Sequence, residues 1–240
     1  MDNPKSKLNE AEIAIFYNKV EKIWPSNEPW YRYTKKQIEN FVHKYAFKDT
    51  DYVLNAGSGG YDYNLNCKMH HIDIAAEKID YLPLYTVTSL ETLPFASNTF
   101  DGILCVGSVI NYCDAVSAIT EMARVLKPGG SLLLEYENSF AFEYRNKSCY
   151  KADAQVIQST YQGVNQLQWI YSYKYINQIL KECGLKIEST YRFHIFSALM
   201  LHLGKNEDNA ARYAKFDVFG SYLPFVNNHG SNFIMHCIKS

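Results

Sequence analysis

Short apolar runs, separated by turn residues and helical stretches, begin at Asp51 and continue through most of the chain. Such runs are typical of buried strands. Their alternation with helical segments favours an α/β fold in which a parallel sheet is joined by crossovers. The pattern predicts strands near residues 52–56, 69–73, 84–88, 101–107 and 131–137.

Helical periodicity and stop signals predict the elements that follow. A helix should run from Asp114 to Lys127, because its apolar residues share one face and Pro128-Gly129-Gly130 stops it. Another helix should end at Gly184, a suitable left-handed cap, before a strand over 185–193. The terminal run 232–238 is predicted to be the last strand.

Residues 1–48 have the spacing of two helices. The first should begin after Asn9 and keep its apolar face as far as Trp24, and the second should begin at Thr34, whose hydroxyl can cap it. An aromatic turn from Pro25 to Tyr33 is predicted between them. Residues 138–172 have no clear period and are interpreted as an insertion packed over the edge of the sheet.

Composition narrows the environment and the partners of the chain. A net charge of −1 gives no general attraction to phosphate backbones or anionic lipid, so we expect no nucleic-acid or membrane partner. The six cysteines have neither metal-site nor disulfide spacing, which favours reduced thiols in the cytoplasm. The first residues are polar, and no apolar stretch approaches the roughly 20 residues of a membrane span.

The strand at 53–56 runs directly into the turn Gly57-Ser58-Gly59-Gly60. Glycine is needed where backbone approaches a ligand closely or takes a positive φ, although a tight loop alone explains such a turn equally well. Asp73 ends the next strand, where a carboxylate can accept both hydroxyls of a ribose. The alternative for Asp73 is a helix cap before Ile74.

Two further motifs complete the pattern, Leu93-Pro94-Phe95 before Phe100-Asp101, and Leu126-Lys127-Pro128-Gly129-Gly130. In order and spacing over residues 50–137, the chain resembles the class I methyltransferases that carry these signatures. The resemblance implies a Rossmann-like, doubly wound sheet of seven strands whose last strand is antiparallel, with an N-terminal helical lid. The short spacings from Gly57 to Asp73 and from Asp73 to Ser89 predict shortened first crossover helices.

A single methyltransferase domain over residues 1–240 is therefore predicted. Its parts are the N-terminal helical lid 1–48, the cofactor-binding core 49–137, the insertion 138–172 and the C-terminal part of the sheet 173–240. A nicotinamide dehydrogenase is the competing interpretation of the glycine turn, but its motif requires glycine where this chain has Asp62.

The resemblance implies S-adenosylmethionine as cofactor, S-adenosylhomocysteine as its product, and no metal. The methionine part should lie over Gly57, Ser58 and Gly59, with Asp73 on the ribose and Ile74 beside the adenine. Relatives carry an acidic residue where this chain has Ser89. The remaining cofactor-binding candidates are Leu90, Gly107 and Tyr33. Tyr33 lies in the aromatic turn. This turn either contacts the methionine carboxylate of the cofactor or only packs the N-terminal helices against the sheet.

Methyl transfer is an in-line displacement that needs positioning more than a triad, and a hydroxyl acceptor benefits from a base. His194 is the first candidate, with a structural or exposed histidine as its alternative, and Glu137 the second, with a surface or cap role as its alternative. We predict transfer to an oxygen or nitrogen atom of a small molecule. One alternative is a catalytically silent regulatory or scaffolding subunit that binds the cofactor. The other is an enzyme that methylates a peptide or protein. The sequence does not predict the oligomeric state.

Overall fold

The computed structural model describes residues 8–45, 47–220 and 222–240. The predicted lid starts at residue 1, and its first seven residues lie outside the described residues. The strands of the main sheet are β1 (Tyr52–Ala56), β2 (Lys68–Asp73), β3 (Tyr85–Val87), β4 (Phe100–Cys105), β5 (Leu126–Glu137), β8 (Leu185–Phe193) and β9 (Asn232–Lys239). A separate hairpin consists of β6 (Ala154–Tyr161) and β7 (Val164–Tyr171).

The sheet has the order β3-β2-β1-β4-β5-β9-β8. Strands β1 to β5 pair in parallel, whereas β9 pairs antiparallel with both β5 and β8. This is the predicted doubly wound sheet of seven strands with an antiparallel last strand. The order reverses at β1 and β4, so the carboxyl ends of these two strands flank the crevice where such sheets bind ligands.

Helices cover both faces and one end of the sheet. They are α1 (Glu10–Lys19), α2 (Pro29–Lys44), α3 (Ala115–Val125), α4 (Tyr173–Glu182), α5 (Ile195–His202), α6 (Glu207–Ala211), α7 (Asp217–Gly220) and α8 (Pro224–Asn227). Residues 57–67, all described, contain no helix, and the crossover from β2 to β3 contains one 3-10 turn over Ala76–Lys78. The prediction of shortened first crossovers is confirmed.

The helix α3 shows how sequence and packing combine. Asp114 caps it by accepting a hydrogen bond from the Ser117 amide at 2.9 Å, and its apolar face is buried against the sheet. The helix ends at Val125, two residues before the predicted end, because Leu126 pairs with Phe100 and already belongs to β5.

The signature motifs brace this helix to the loop before β4. The Arg124 guanidinium donates to the carbonyl oxygens of Phe95 at 2.7 Å and Leu93 at 2.9 Å, and Glu121 accepts from the Leu93 amide at 2.8 Å. Lys127 pairs with Asp101 at 2.6 Å. Within the described residues, these side chains hold the fold together and line no part of the cavity described below.

The N-terminal helices differ from the prediction at their ends. The first ends at Lys19, because Val20 is extended, and the second begins at Pro29, not Thr34. Proline is favourable at the first helical position, where its fixed φ fits and no amide donor is lost. Thr34 is therefore inside α2, where its hydroxyl lies 3.1 Å from the Trp30 carbonyl oxygen, and the predicted turn over Pro25–Tyr33 is shorter.

The segment 138–172 contains the β6–β7 hairpin, which the sequence did not predict. Its turn consists of Gln162 and Gly163, both with positive φ, a weaker hairpin signal than Asn-Gly. The hairpin packs on the loop after β4, where the Asn111 side-chain amide donates to the Trp169 carbonyl oxygen at 2.6 Å. It therefore covers the carboxyl end of the central strands, not the edge of the sheet. Across the described ranges, no helix is long and apolar enough to cross a bilayer.

Candidate functional site

A cavity of about 640 Å³ opens at the carboxyl ends of the central parallel strands. Its floor is formed by the loops after β1, β2 and β4, and its walls by α1, the start of α2, the hairpin and the α5–α6 region. The volume lies within the range of about 300–1,000 Å³ typical of small-molecule sites. Of the predicted site residues, Gly57, Ser58, Gly59, Asp73, Ile74, Ser89, Leu90, Gly107 and Glu137 line it.

The glycine turn requires its glycines. Gly57 has a φ of +64°, and a Cβ atom there would lie 2.3 Å from Cγ1 of Val109. Gly59 has a φ of +52°, and its Cβ would lie 2.8 Å from Cγ1 of Ile23. Left-handed backbone and closely packed neighbours together exclude a side chain at either position. The backbone amides and carbonyls of the turn therefore form the floor of the cavity.

Asp73 connects this turn to the end of β2. One carboxylate oxygen accepts from the Gly59 amide and the other from the Ala75 amide, each at 2.9 Å. Burial raises the pKa of Asp73, and the backbone hydrogen bonds partly offset this effect. Each oxygen can accept a second hydrogen bond, so the carboxylate can still bind the two hydroxyls of a ribose. The bond from Ala75 shows that the capping alternative is compatible with this role.

The adenine end of the predicted cofactor site contains a carboxylate that the sequence did not reveal. Ser89 replaces the expected acidic residue, and its hydroxyl donates to Oε1 of Glu10 on α1 at 2.8 Å. Glu10 lines the cavity together with Ser89 and the buried Leu90. The acidic group therefore comes from the N-terminal helix, about 80 residues away in sequence. No local pattern around Ser89 could have predicted it.

A buried carboxylate holds the loop after β4. Glu135 is fully buried on β5 and accepts from the Ser108 amide at 2.5 Å and from the Asn232 side-chain amide at 2.6 Å. Gly107 and Ser108 have φ values of +85° and +59°. The two hydrogen bonds stabilise this left-handed backbone, which places Gly107 and Ser108 in the cavity wall.

Glu137, two residues further along β5, points into the cavity. Its carboxylate accepts from the Gln168 side-chain amide at 2.6 Å, and its backbone amide donates to Oδ1 of Asn111 at 3.0 Å. Burial, followed by the nearby charges of Glu135 and Glu143, raises the pKa of Glu137 to about 8. A carboxyl with this pKa can accept and return a proton near neutral pH.

His194 does not have the predicted position. It is fully buried, it stacks on Trp30 with ring centroids 3.7 Å apart, and its two ring nitrogens lie 2.9 Å from the Thr34 hydroxyl and 2.7 Å from the Ser197 hydroxyl. Burial lowers its pKa to about 3. His194 lines no part of the cavity, so the structure contradicts its prediction as a general base and supports the structural alternative.

Tyr33 is also outside the cavity wall. Its hydroxyl donates to Asp217 at 3.2 Å, and Asp217 in turn accepts from the Ile195 and Phe196 amides at the start of α5. Arg32 donates to the Ser26 carbonyl oxygen. Tyr33 therefore pins α2 to the C-terminal helices, which is the alternative stated for the aromatic turn, and its predicted contact with the cofactor is not supported.

The site fits the predicted cofactor in three respects. The glycine turn allows a ligand to approach the backbone, Asp73 offers acceptors for ribose hydroxyls, and Ile74 and Leu90 provide apolar surface for an adenine. In the described part of the chain, no group of three or more His, Cys, Asp or Glu side chains is arranged to hold a metal ion.

Comparisons with known proteins agree with this arrangement. Residues 53–134 match the family model described as a methyltransferase domain. Over 233 residues the chain is 22% identical to the uncharacterized protein MJ1252 of Methanocaldococcus jannaschii, covering 89% of each. Over 64 residues it is 42% identical to the ubiquinone/menaquinone biosynthesis C-methyltransferase UbiE of Cronobacter sakazakii, but this match covers only 27% of the chain and 26% of UbiE.

The fold is similar to that of geranyl diphosphate C-methyltransferase from Streptomyces coelicolor, whose structure contains Mg²⁺, geranyl diphosphate and S-adenosylhomocysteine. The TM-score is 0.63 over 96% of this chain and 98% of that one, at 10% identity. Residues 53–134 are therefore a methyltransferase domain, and the whole chain has the fold of S-adenosylmethionine-dependent methyltransferases, with the strand order and the glycine turn beside Asp73 at the expected place.

Proposed function

We propose that the chain transfers the methyl group of S-adenosylmethionine to an oxygen or nitrogen atom of a small molecule bound in this cavity. The observation that carries the proposal is Glu137, a carboxylate that lines the cavity at the end of β5 and has a pKa of about 8. An O- or N-nucleophile must lose a proton, and Glu137 is placed to accept it.

The bound cofactor would supply a methyl group on a positively charged sulfur, which leaves as a neutral thioether. The residues of this chain provide position and shielding. The turn at Gly57 and Gly59 and the carboxylate of Asp73 orient the donor, and Glu10 and Ser89 are proposed to receive the adenine amino group. The N-terminal segment and the hairpin exclude water: the Tyr161 hydroxyl donates to the Ile23 carbonyl oxygen at 2.5 Å and joins the two.

Two relatives bear names of C-methyltransferases, but neither determines the acceptor of this chain. The match to UbiE covers about a quarter of this chain, and the likeness to geranyl diphosphate C-methyltransferase concerns the fold. The walls around Glu137 belong to the hairpin and the α5–α6 region, outside the matched domain. A small acceptor is favoured over a peptide because the N-terminal segment joins the hairpin across the cavity.

Calorimetric titration with S-adenosylmethionine, S-adenosylhomocysteine and NAD tests the cofactor first. We expect micromolar binding of the first two and no binding of NAD. Methyl transfer from deuterated S-adenosylmethionine to a panel of alcohols, phenols and amines, followed by mass spectrometry, then tests the reaction. Binding of NAD alone, or labelling only at carbon atoms of added substrates, would overturn the proposal.

Glu137→Gln tests the proton acceptor. The amide can still accept from Gln168 but cannot take a proton, so we expect kcat to fall by about 10²-fold or more while S-adenosylhomocysteine affinity stays within about twofold. The wild-type rate should rise with pH, reach half of its maximum near pH 8, and level off about one pH unit higher, as Glu137 ionises. Glu188→Gln, at an exposed carboxylate that pairs with Lys186 outside the cavity, is the matched control and should change neither quantity. An unchanged rate in the Glu137 variant would exclude the base.

A further inference from the structure

Three carboxylates line the acceptor side of the cavity. Glu137 is the last residue of β5, Glu143 lies in the 3-10 turn over Phe142–Tyr144, and Glu207 begins α6 at the rim. Burial and neighbouring carboxylates raise the pKa of Glu137 to about 8, and burial raises the pKa values of Glu143 and Glu207 to about 7. Glu143 and Glu137 both line this cavity, and the charge of Glu143 contributes to the raised pKa of Glu137.

Aromatic rings form the walls around these carboxylates. Tyr31 and Tyr161 meet edge to face with centroids 5.1 Å apart, and Tyr144 lines the cavity beside Glu143. Glu137 and Glu207 both act on the Tyr31 hydroxyl. Aromatic faces and carboxylates are the two kinds of group that attract an organic ammonium.

Tyr144 offers a polar group to a molecule bound in the cavity. It is only 7% exposed and lines the cavity, and its hydroxyl keeps contact with the cavity space and makes no hydrogen bond to the described residues. The charges of Glu143 and Glu137 both act on this hydroxyl. A buried polar group normally has a partner. The Tyr144 hydroxyl therefore has the position of a group whose partner arrives with the acceptor.

The positive charge near these carboxylates is small. Lys147 lines the cavity from an exposed position, and its ammonium lies 5.2 Å from the centroid of the Tyr144 ring. His202 is the other basic group on this side, and Glu28 adds a further negative charge near Glu207. Three carboxylates thus face one permanent cation. Like charges crowded into a partly buried space disfavour the ionised forms of these carboxyl groups, and a bound cation would favour them.

We propose that the acceptor is a small amine, which enters in its ammonium form and binds to Glu137 and Glu143 against the rings of Tyr31, Tyr144 and Tyr161. This inference rests on the proposed methyl transfer and specifies its substrate class. The ammonium satisfies the Tyr144 hydroxyl as well, since it carries several donors.

The chemistry balances with these residues alone. The bound ammonium gives one proton to the carboxylate of Glu137 and becomes a neutral amine. The nitrogen lone pair forms a bond to the methyl carbon while the carbon–sulfur bond breaks and leaves its electron pair on sulfur. The product is a methylated ammonium, and the proton on Glu137 passes to solvent before the next cycle.

Binding is measured separately from turnover, with the protein saturated in S-adenosylhomocysteine. The probes are matched sets of an amine, an alcohol and a carboxylic acid: phenethylamine, 2-phenylethanol and phenylacetate, with n-butylamine, n-butanol and butyrate as a smaller set. We expect each amine to bind about tenfold or more tightly than its alcohol and the acids not to bind. Amine binding at pH 7 should release protons from Glu137 and Glu143. The buffer takes up these protons, so the measured binding enthalpy should change with the ionisation enthalpy of the buffer.

Glu143→Gln removes a charge while the amide can still accept from Ser231, so the fold is preserved. Amine affinity should fall about tenfold and alcohol affinity should not change, whereas Glu188→Gln should alter neither. Binding of S-adenosylhomocysteine without any preference for amines overturns this inference and leaves the proposed function standing. Absence of cofactor binding overturns the proposed function itself. An amine that binds but receives no methyl group overturns the amine as the acceptor.

Discussion

Replacing Gly57 by alanine tests whether the glycine turn is required for the reason the structure gives. At a φ of +64° an L-residue costs about 1–2 kcal/mol. The added Cβ would also lie 2.3 Å and 2.5 Å from the two Cγ atoms of Val109, and such overpacking typically costs about 1–3 kcal/mol. We therefore expect Gly57→Ala to lower the free energy of unfolding by about 2–5 kcal/mol.

Gly129 provides the matched control. Its φ is +76°, and a Cβ there meets nothing within 4 Å. Gly129→Ala therefore has the backbone strain without the clash and should cost about 1–2 kcal/mol. The difference between the two variants measures the close approach of the turn to Val109. Urea unfolding gives both free energies, and m-values show whether the unfolding reaction stays the same.

A double variant separates the steric cost from the strain. Val109→Ala removes both Cγ atoms, so Gly57→Ala should cost less in that background than alone, by about 1 kcal/mol or more. S-adenosylhomocysteine affinity should fall with Gly57→Ala, because either the turn or the Val109 loop must move, and stay unchanged with Gly129→Ala. Equal losses of stability in the Gly57 and Gly129 variants would refute the steric argument.

Three further substitutions give distinct results. Asp73→Ala should weaken S-adenosylhomocysteine binding by about 2–4 kcal/mol in calorimetry, and unchanged affinity would exclude the ribose role. Arg124→Ala should lower the free energy of unfolding by about 2–3 kcal/mol, because it removes the hydrogen bonds to two carbonyl oxygens. The affinity for S-adenosylhomocysteine should stay constant. A folded variant that loses this affinity would contradict the bracing role. Burial lowers the pKa of His194 from 6.5 to about 3, so between these pH values the unfolded chain binds a proton that the folded chain does not. The free energy of unfolding therefore falls by about 1.4 kcal/mol for each pH unit in this window as the pH is lowered. His194→Gln should lack that part of the slope in unfolding measurements at several pH values, and an unchanged slope would contradict the buried neutral histidine.

The elements predicted most closely are those whose signals are local. Strand β1, the helix α4 with its left-handed cap at Gly184 and the last strand follow from short patterns of apolar and turn residues, whereas the antiparallel direction of that strand was implied by the resemblance. The helix α2 was misplaced because Thr34 looks like a cap, while Pro29 begins the helix without any capping side chain. Local capping preferences are weak compared with the tertiary contacts that bury α2.

The candidate cofactor residues other than Tyr33 line the cavity, and their convergence was predictable for the same reason. Its candidate residues lie on a strand–turn unit and at the end of the next strand, where the fold brings neighbours in sequence together. The prediction of His194 as a base was wrong because a histidine titrates near neutral pH only when its side chain is exposed to water. His194 is instead removed from water by stacking on Trp30 and by its two hydroxyl partners. Burial of this kind is set by packing, which sequence periodicity does not report.

The acceptor half depends on segments that have no period and no signature. Glu143 and Tyr144 come from an irregular turn, Tyr161 from a hairpin tip, and Glu207 from a short helix between β8 and β9. These segments converge only because the sheet ends at one common rim. Under the proposed function, the charge and shape of these loops select the acceptor, and the carboxylates beside the tyrosine rings are the feature that favours an amine.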